Sequence, residues 1–192
     1  MEAAAEGVYD AQPVEKLEVT ELEILSVWKF VLLSVASLCI YPLWWMYKSW
    51  RFIKYKENLD IMPVWRVIFA IFYIIALFGN IKYYATTLGY KKDYNSGLML
   101  VFIIACNFLG RLPDPYWILA LTSCAFYIPA LQAQNFALEH DEEILVTKRD
   151  GFTNKQVVIL VVGGIWWALI LIGLFVAPEA TEVLDMPTEI YE

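Results

Sequence analysis

Between Val157 and Ala177 the chain reads VVILVVGGIWWALILIGLFVA, 21 residues without a charged side chain. A helix rising 1.5 Å per residue needs roughly 20 apolar residues to cross the ~30 Å hydrocarbon core of a bilayer. An ordinary soluble fold has little use for a stretch so uniformly apolar. Four further apolar runs precede it, separated by short polar connections. Together they make 60% of the 192 residues hydrophobic and leave 18% charged, against about 45–50% and 25% in average soluble domains. The sequence therefore predicts an all-α integral membrane protein with about five membrane segments, near 24–41, 63–88, 97–112, 115–138 and 157–177. An acidic N-terminal tail (1–23) and an acidic C-terminal tail (178–192), the latter expected to be mostly disordered, flank this domain.

Charge and cysteine usage exclude several functions. Lys plus Arg number 14 against 21 Asp plus Glu, a net charge of -7, so the basic footprint that holds nucleic acid is missing. Cys39, Cys106 and Cys124 all fall in apolar runs at unrelated spacings; they read as small buried hydrophobes rather than a disulfide framework or zinc cluster. Residues 1–23 hold seven acids and one lysine, the reverse of a basic secretory leader, so membrane entry is expected through the first span. His140 is the only histidine, which removes an HExxH zinc motif and a triad-type base.

The connections carry most of the local signals. Pro42 ends the first segment, and Lys29, one turn inside its start, is expected to snorkel to the interface. Wound as a helix, 43–58 puts Leu43, Met46, Tyr47, Trp50 and Ile53 on one side and Lys48, Arg51 and Tyr55 opposite, although Lys54 falls near the apolar side. That pattern suits an amphipathic helix lying in the headgroup plane, where aromatic rings and cations both favour the interface. The alternative is an aqueous extension of the first span. Pro63 fits the opening of the second segment, with Arg66 snorkelling from its first turn. In LPDP, Asp114 is expected to cap the fourth segment and Pro115 to occupy its first position. Segments three and four form a helical hairpin, either two full crossings or a re-entrant pair. Pro129 is expected to bend segment four, and Thr153 or Asn154 to cap segment five. Eight cations fall on one side of a five-span arrangement and six on the other. The dense Lys48–Lys56 stretch favours that side as cytoplasmic.

The stretch IYPLWWMYKSW, continuing to IMPVWRVIF, resembles a family of small multipass membrane proteins, largely bacterial and of unassigned function. Their first helix ends in a Gly-leu-Tyr plus Tyr-Trp-phe-Tyr-Lys-x-Trp pattern, and their second starts Pro-x-Trp-Arg. Tyr41, Trp45, Tyr47, Lys48 and Trp50 match the first element; Pro63, Trp65 and Arg66 match the second. LPDPYW and PALQAQN are also similar, so the resemblance covers roughly 28–167. It departs where the family's Thr and Gly ahead of the tyrosine are replaced by SLCIY. The resemblance implies an architecture and a bacterial inner (plasma) membrane, but no activity.

Two sets of candidate site residues follow. The lipid or interface set is Tyr41, Trp45, Tyr47, Lys48, Trp50, Arg51, Lys54 and Lys56. Trp44, Trp166 and Trp167 are read as further interfacial anchors or packing residues. The intramembrane polar set is Asn80, Asn107, Arg111, Gln132, Gln134 and Asn135, each costly in hydrocarbon unless paired. Asn107 and Arg111, four apart, are expected to point across the hairpin toward the glutamines of segment four, as interhelical hydrogen bonds or as the lining of a polar path. Gly164 and Ala168 offer one small-residue pair for a partner or a second copy. Glu139, His140, Asp141, Glu142 and Glu143 form an acidic cluster without further ligands at a metal spacing, so no metal or cofactor is expected. The function expected is a non-enzymatic accessory, scaffold or lipid-contacting membrane subunit, with membrane lipids as partners; the alternative is a small transporter or channel-like protein.

Overall fold

A computed structural model describes residues 23–141 and 151–184, with side chains to 174. In order they form α1 (Val27–Ala36), α2 (Tyr41–Lys56), α3 (Pro63–Ile68), α4 (Ala70–Thr87), α5 (Ser96–Leu109), a 3₁₀ helix (Tyr116–Tyr127), α6 (Ile128–His140) and α7 (Asn154–Leu184). Two stretches, Tyr116–His140 and Asn154–Leu174, are long and apolar enough to cross a membrane, with mean hydropathies of 1.3 and 2.7. The core is aromatic: Tyr127 meets the rings of Phe30, Trp45 and Phe78 at 6.3, 6.3 and 5.8 Å between centroids. In lipid the driving force for such contacts is close packing rather than escape from water.

The first segment is not one helix. α1 stops after 10 residues, about 15 Å at 1.5 Å per residue. Leu38 and Cys39 then take φ of 50° and 64°. Cys39 N–H donates to the Ser34 carbonyl at 2.7 Å and Leu38 N–H to that of Val35 at 3.2 Å. This pair of bonds is the Schellman termination, normally built on glycine in the left-handed region. Tyr41 N–H finds Ser37 Oγ at 2.8 Å, and Pro42, lacking an N–H, fits the first turn of α2.

The expected interfacial helix is a core helix. α2 buries Trp45, Met46, Ser49, Trp50, Phe52 and Ile53, while Leu43 and Trp44 face outward. The stripe at helical spacing is present, and protein covers it over Met46, Trp50 and Ile53: a 3.6-residue period marks an apolar face without identifying what packs on it. The second segment is interrupted at Phe69 (ψ 38°), between α3 and α4. α5 begins on a cap that sequence reading missed, Asn95 Oδ1 accepting from the N–H groups of Gly97 and Leu98 at 3.0 Å each.

Asp114 does not cap the next element. Pro115 itself is the cap residue, and Tyr116 N–H bonds the Pro113 carbonyl at 2.9 Å, so the turn's own backbone supplies the acceptor. The 12-residue 3₁₀ helix is long for its type, and winding changes to α at Ile128, with Pro129 in the first turn of α6. Pro129 thus marks a change of winding where a bend was expected. α7 starts on Thr153, whose carbonyl accepts from Val157 N–H at 2.9 Å while Gln156 Oε1 accepts from Thr153 N–H at 3.0 Å, half of a capping box. Backbone helix continues to Leu184, past Pro178 where a disordered tail was expected; the Ala- and Glu-rich APEATEVL has good helix formers on either side of the proline. The rest of the tail, 185–192, lies outside the described residues, as do 1–22.

Candidate functional site

Polar side chains collect in two kinds of place: sealed clusters that join helices, and the walls of open spaces. The first kind takes up much of the expected interface set. Tyr41, Trp45 and Trp50 are 6%, 6% and 0% exposed, so protein rather than lipid surrounds them. Tyr41 Oη lies 3.5 Å from Gln156 Nε2, and Trp45 stacks edge-on against Phe30 at 5.9 Å. The Arg66 guanidinium, expected to snorkel, lies instead 4.2 Å from the Trp50 ring centre. Tyr47 is half-buried, stacked on Trp44 at 5.5 Å with Arg51 over its other neighbourhood at 5.9 Å. Lys48 lines a small gap with Glu23, Gln134 and Asn135. Lys54 is half-buried. Lys56 pairs with Asp141 at 2.8 Å, and the Tyr84 hydroxyl donates to the same carboxylate. The Lys56–Asp141 pair ties α2 to the end of α6, so this cation is engaged inside the chain.

Lys29 likewise does not reach water. It is 6% exposed, and its ammonium donates to the Gly151 carbonyl at 3.1 Å between the rings of Trp28 and Phe152. Glu23 accepts from the Thr153 hydroxyl at 2.9 Å. Both contacts pin the start of α7 to α1 and the segment before it.

The intramembrane polar set divides. Gln134, 4% exposed, accepts from Ser49 Oγ at 2.9 Å and joins α6 to α2. Asn135 holds the backbone before α1 with both ends of its amide, donating to the Leu25 carbonyl at 2.7 Å and accepting from Leu25 N–H at 3.3 Å. These are the helix-joining hydrogen bonds the sequence suggested. Gln132 lines an open groove with Lys91, Lys92 and Glu139. Asn80 is half-buried on α4. Asn107 and Arg111 do not face the glutamines: Asn107 Nδ2 bonds the Ile103 carbonyl of its own helix at 2.7 Å. The physical reason is length. Sixteen residue steps of helix lead from Tyr116 to Gln132, about 24 Å even at the α rise of 1.5 Å per residue, so residues 132–135 stand far from the hairpin turn where Arg111 sits.

Asn107 and Arg111 instead line a cavity of about 390 Å³, with Cys39 and Pro42 from the break, Ile74 from α4, Ile103 from α5, and Ser123 and Tyr127 from the 3₁₀ helix. The volume lies within the roughly 300–1,000 Å³ usual for ligand pockets. The Cys39 thiol lies 3.8 Å from Ser123 Oγ and 3.9 Å from the Leu121 carbonyl, so these inner polar atoms face one another. Sequence reading missed Ser123 and Tyr127 because an isolated Ser or Tyr in an apolar run carries no positional signal. Cys124 is buried, as expected of all three cysteines; Cys106 and Cys39 are only half-buried, and Cys39 lines this cavity.

Within the chain, the close approach of α7 is made by Gly163. A Cβ on Gly163 would stand 2.2 Å from the Ala36 carbonyl oxygen, whereas nothing lies within 4 Å of one on Gly164. Gly164 and Ala168 share the exposed side. Trp167 Nε1 donates to the Val35 carbonyl at 2.9 Å, one turn from Gly163, so this tryptophan is a helix-joining residue. In the acidic cluster, His140 stacks on Phe136 at 4.0 Å and Asp141 turns to Lys56 and Tyr84, while Glu142 and Glu143 lie outside the described residues. Among the described residues no three His, Cys, Asp or Glu side chains are placed to hold a metal ion. No known protein family, curated protein or solved structure matches this chain.

Proposed function

We propose that the chain is a multipass integral membrane protein that works without catalysis, as an accessory or scaffold subunit in contact with lipid. The observation that carries this reading is α7. Its stretch Asn154–Leu174 has a mean hydropathy of 2.7, yet only 6% of its most apolar part is buried. A core helix of a soluble protein with that composition would be covered on most sides. Here Val161, Val162, Ile165, Trp166, Leu169 and Ile172 all face outward, an apolar surface suited to hydrocarbon. α4 and α5 add Ile71, Phe72, Leu98 and Val101 to the same kind of surface. The inner membrane of a bacterium is the compartment that the family resemblance implies. The outward pair Gly164 and Ala168 is the place for a partner helix or a second copy.

A transport path has less support. The polar side chains it would string together lie in separate spaces, Asn107 and Arg111 in the cavity and Gln132 in the Lys91–Lys92 groove. The test of the main reading is extraction. The protein stays with membranes after alkaline carbonate, needs detergent to leave them, and carries phospholipid through purification. Monodisperse recovery from a lysate without detergent overturns the reading.

A further inference from the structure

The cavity between α2, α4, α5 and the 3₁₀ helix has the polarity of a single amphiphile. Its walls are mostly aliphatic, with Ile74, Leu100, Ile103 and Ile104 among them. The polar atoms at its inner end, on Cys39 and Ser123, lie within reach of each other or of backbone, so they offer water little. A polar, roomy site is what ordered water requires.

The other end is different. Arg111 stands on the rim, two residues past the end of α5 in the turn between the hairpin arms. No carboxylate lines the cavity, and the described contact of the guanidinium is with the Phe108 ring at 5.4 Å. Among the described residues no ion pair neutralises it. From two residues past the end of α5 a long side chain snorkels to headgroup depth, where phosphates are found, and the planar guanidinium fork matches two phosphate oxygens. The rim residues Leu43, Ile71 and Phe108 are exposed and apolar, so the mouth opens onto the surface assigned above to hydrocarbon.

We propose that this cavity is a lipid-binding site that takes one acyl chain of a phospholipid, with the phosphate held by Arg111. The inference rests on the lipid-contacting reading and adds the site and the chemical class of its occupant. A mostly aliphatic lining with one cation at its rim favours a chain carrying a charged head over a compact polar ligand.

The experiment is native mass spectrometry of the full chain released from mild detergent, with phosphatidylglycerol, phosphatidylcholine or palmitate supplied in turn. The wild type is expected to retain one phosphatidylglycerol, and phosphatidylcholine more weakly. Arg111→Gln weakens phosphatidylglycerol binding about tenfold, the effect of losing one charge-assisted hydrogen-bonding pair. Ala70→Phe, which fills the space from α4, removes the bound lipid. Should Ala70→Phe not fold, Leu100→Phe narrows the same cavity from α5 and must give the same loss. Equal lipid retention by folded Arg111→Gln and cavity-filling variants overturns the site while leaving the lipid-contacting reading intact. Palmitate displacing phosphatidylglycerol at equal concentration overturns the phospholipid assignment. A chain that keeps no lipid of any class and needs no detergent overturns both.

Discussion

Adjacent glycines in α7 are expected to respond to the same substitution with opposite sign. In Gly163→Ala the new methyl meets the Ala36 carbonyl oxygen at 2.2 Å and its carbon at 2.8 Å, and a backbone group cannot rotate aside. Reaching an ordinary contact of 3.4 Å requires α7 to back away by 3.4 − 2.2 = 1.2 Å. Such overpacking costs about 1–3 kcal/mol. The same movement stretches the 2.9 Å bond from Trp167 Nε1 to the Val35 carbonyl and forfeits about 0.5–1.5 kcal/mol. Alanine's better helix propensity returns about 1 kcal/mol, leaving a net loss of about 0.5–3.5 kcal/mol. Gly164→Ala has nothing within 4 Å to strike, so it keeps only the propensity gain and stabilises by up to about 1 kcal/mol. The assay is denaturant unfolding in detergent micelles followed by tryptophan fluorescence. Trp167→Phe adds a cross-check: it costs about 1 kcal/mol in the wild type and much less in Gly163→Ala, because the two changes break one contact. A Gly163→Ala protein at least as stable as wild type refutes the packing of α7 on α1.

Three further outcomes follow from the buried and strained groups. Ser49→Ala leaves the Gln134 amide oxygen without its donor in a site 0% and 4% exposed; thermal unfolding should register a loss of about 1–2 kcal/mol, and adding Gln134→Leu should recover most of it. Cys39→Gly relieves a non-glycine φ of 64° and is expected to raise the unfolding midpoint by the equivalent of about 1 kcal/mol, with a fall in midpoint contradicting the left-handed turn. The Asp93 carboxyl is held below the usual carboxylate range, first by its hydrogen bond and then by its charge interaction with Lys82. A depressed pKa gives stability that is complete above the unfolded value and fades as pH falls through the folded one. Acid titration of the melting temperature should therefore show a small low-pH decline that Asp93→Asn abolishes, modest because the carboxylate is exposed.

What the sequence made legible was whatever depends on neighbours along the chain. The charge-free run at 157–177 lies within α7, Pro63 opens α3, and α7 opens directly after Thr153, one of the two residues expected at its cap, although the Thr153 hydroxyl turns to Glu23. Gln134 and Asn135 join helices because a polar amide in an apolar run must find a partner somewhere. The identity of a partner across space was not legible. The apolar face of α2 is as well suited to lipid as to α4 and α6, and only the coordinates distinguish them. Gly163 and Gly164 are equivalent as letters, yet a 100° rotation about the helix axis puts one against Ala36 and the other outside. The 3₁₀ winding of 116–127 leaves no clear mark in composition.

The residues between α1 and α2 connect two features that otherwise look unrelated. Because the Schellman turn stops α1 after 10 residues, about 15 Å along its axis, that helix has about half the length that a ~30 Å hydrocarbon core asks of a spanning helix. The chain then re-enters the bundle as α2 and brings Trp45 and Trp50 into protein contact, which is why an aromatic, basic stretch suited to the interface is found inside. α5 also stops short, at 14 residues or about 21 Å. The cavity is lined by residues from both terminations, Cys39 beyond α1 and Asn107 and Arg111 at the end of α5. Packed interiors seldom tolerate a void of that volume, and two truncated helices supply a reason for one here. Filling it with an acyl chain would restore the van der Waals contacts that the missing helical turns forgo. On this argument, extending α1 by replacing Leu38 and Cys39 with alanine should weaken lipid retention together with the burial of Trp45 and Trp50, since one turn of backbone governs both.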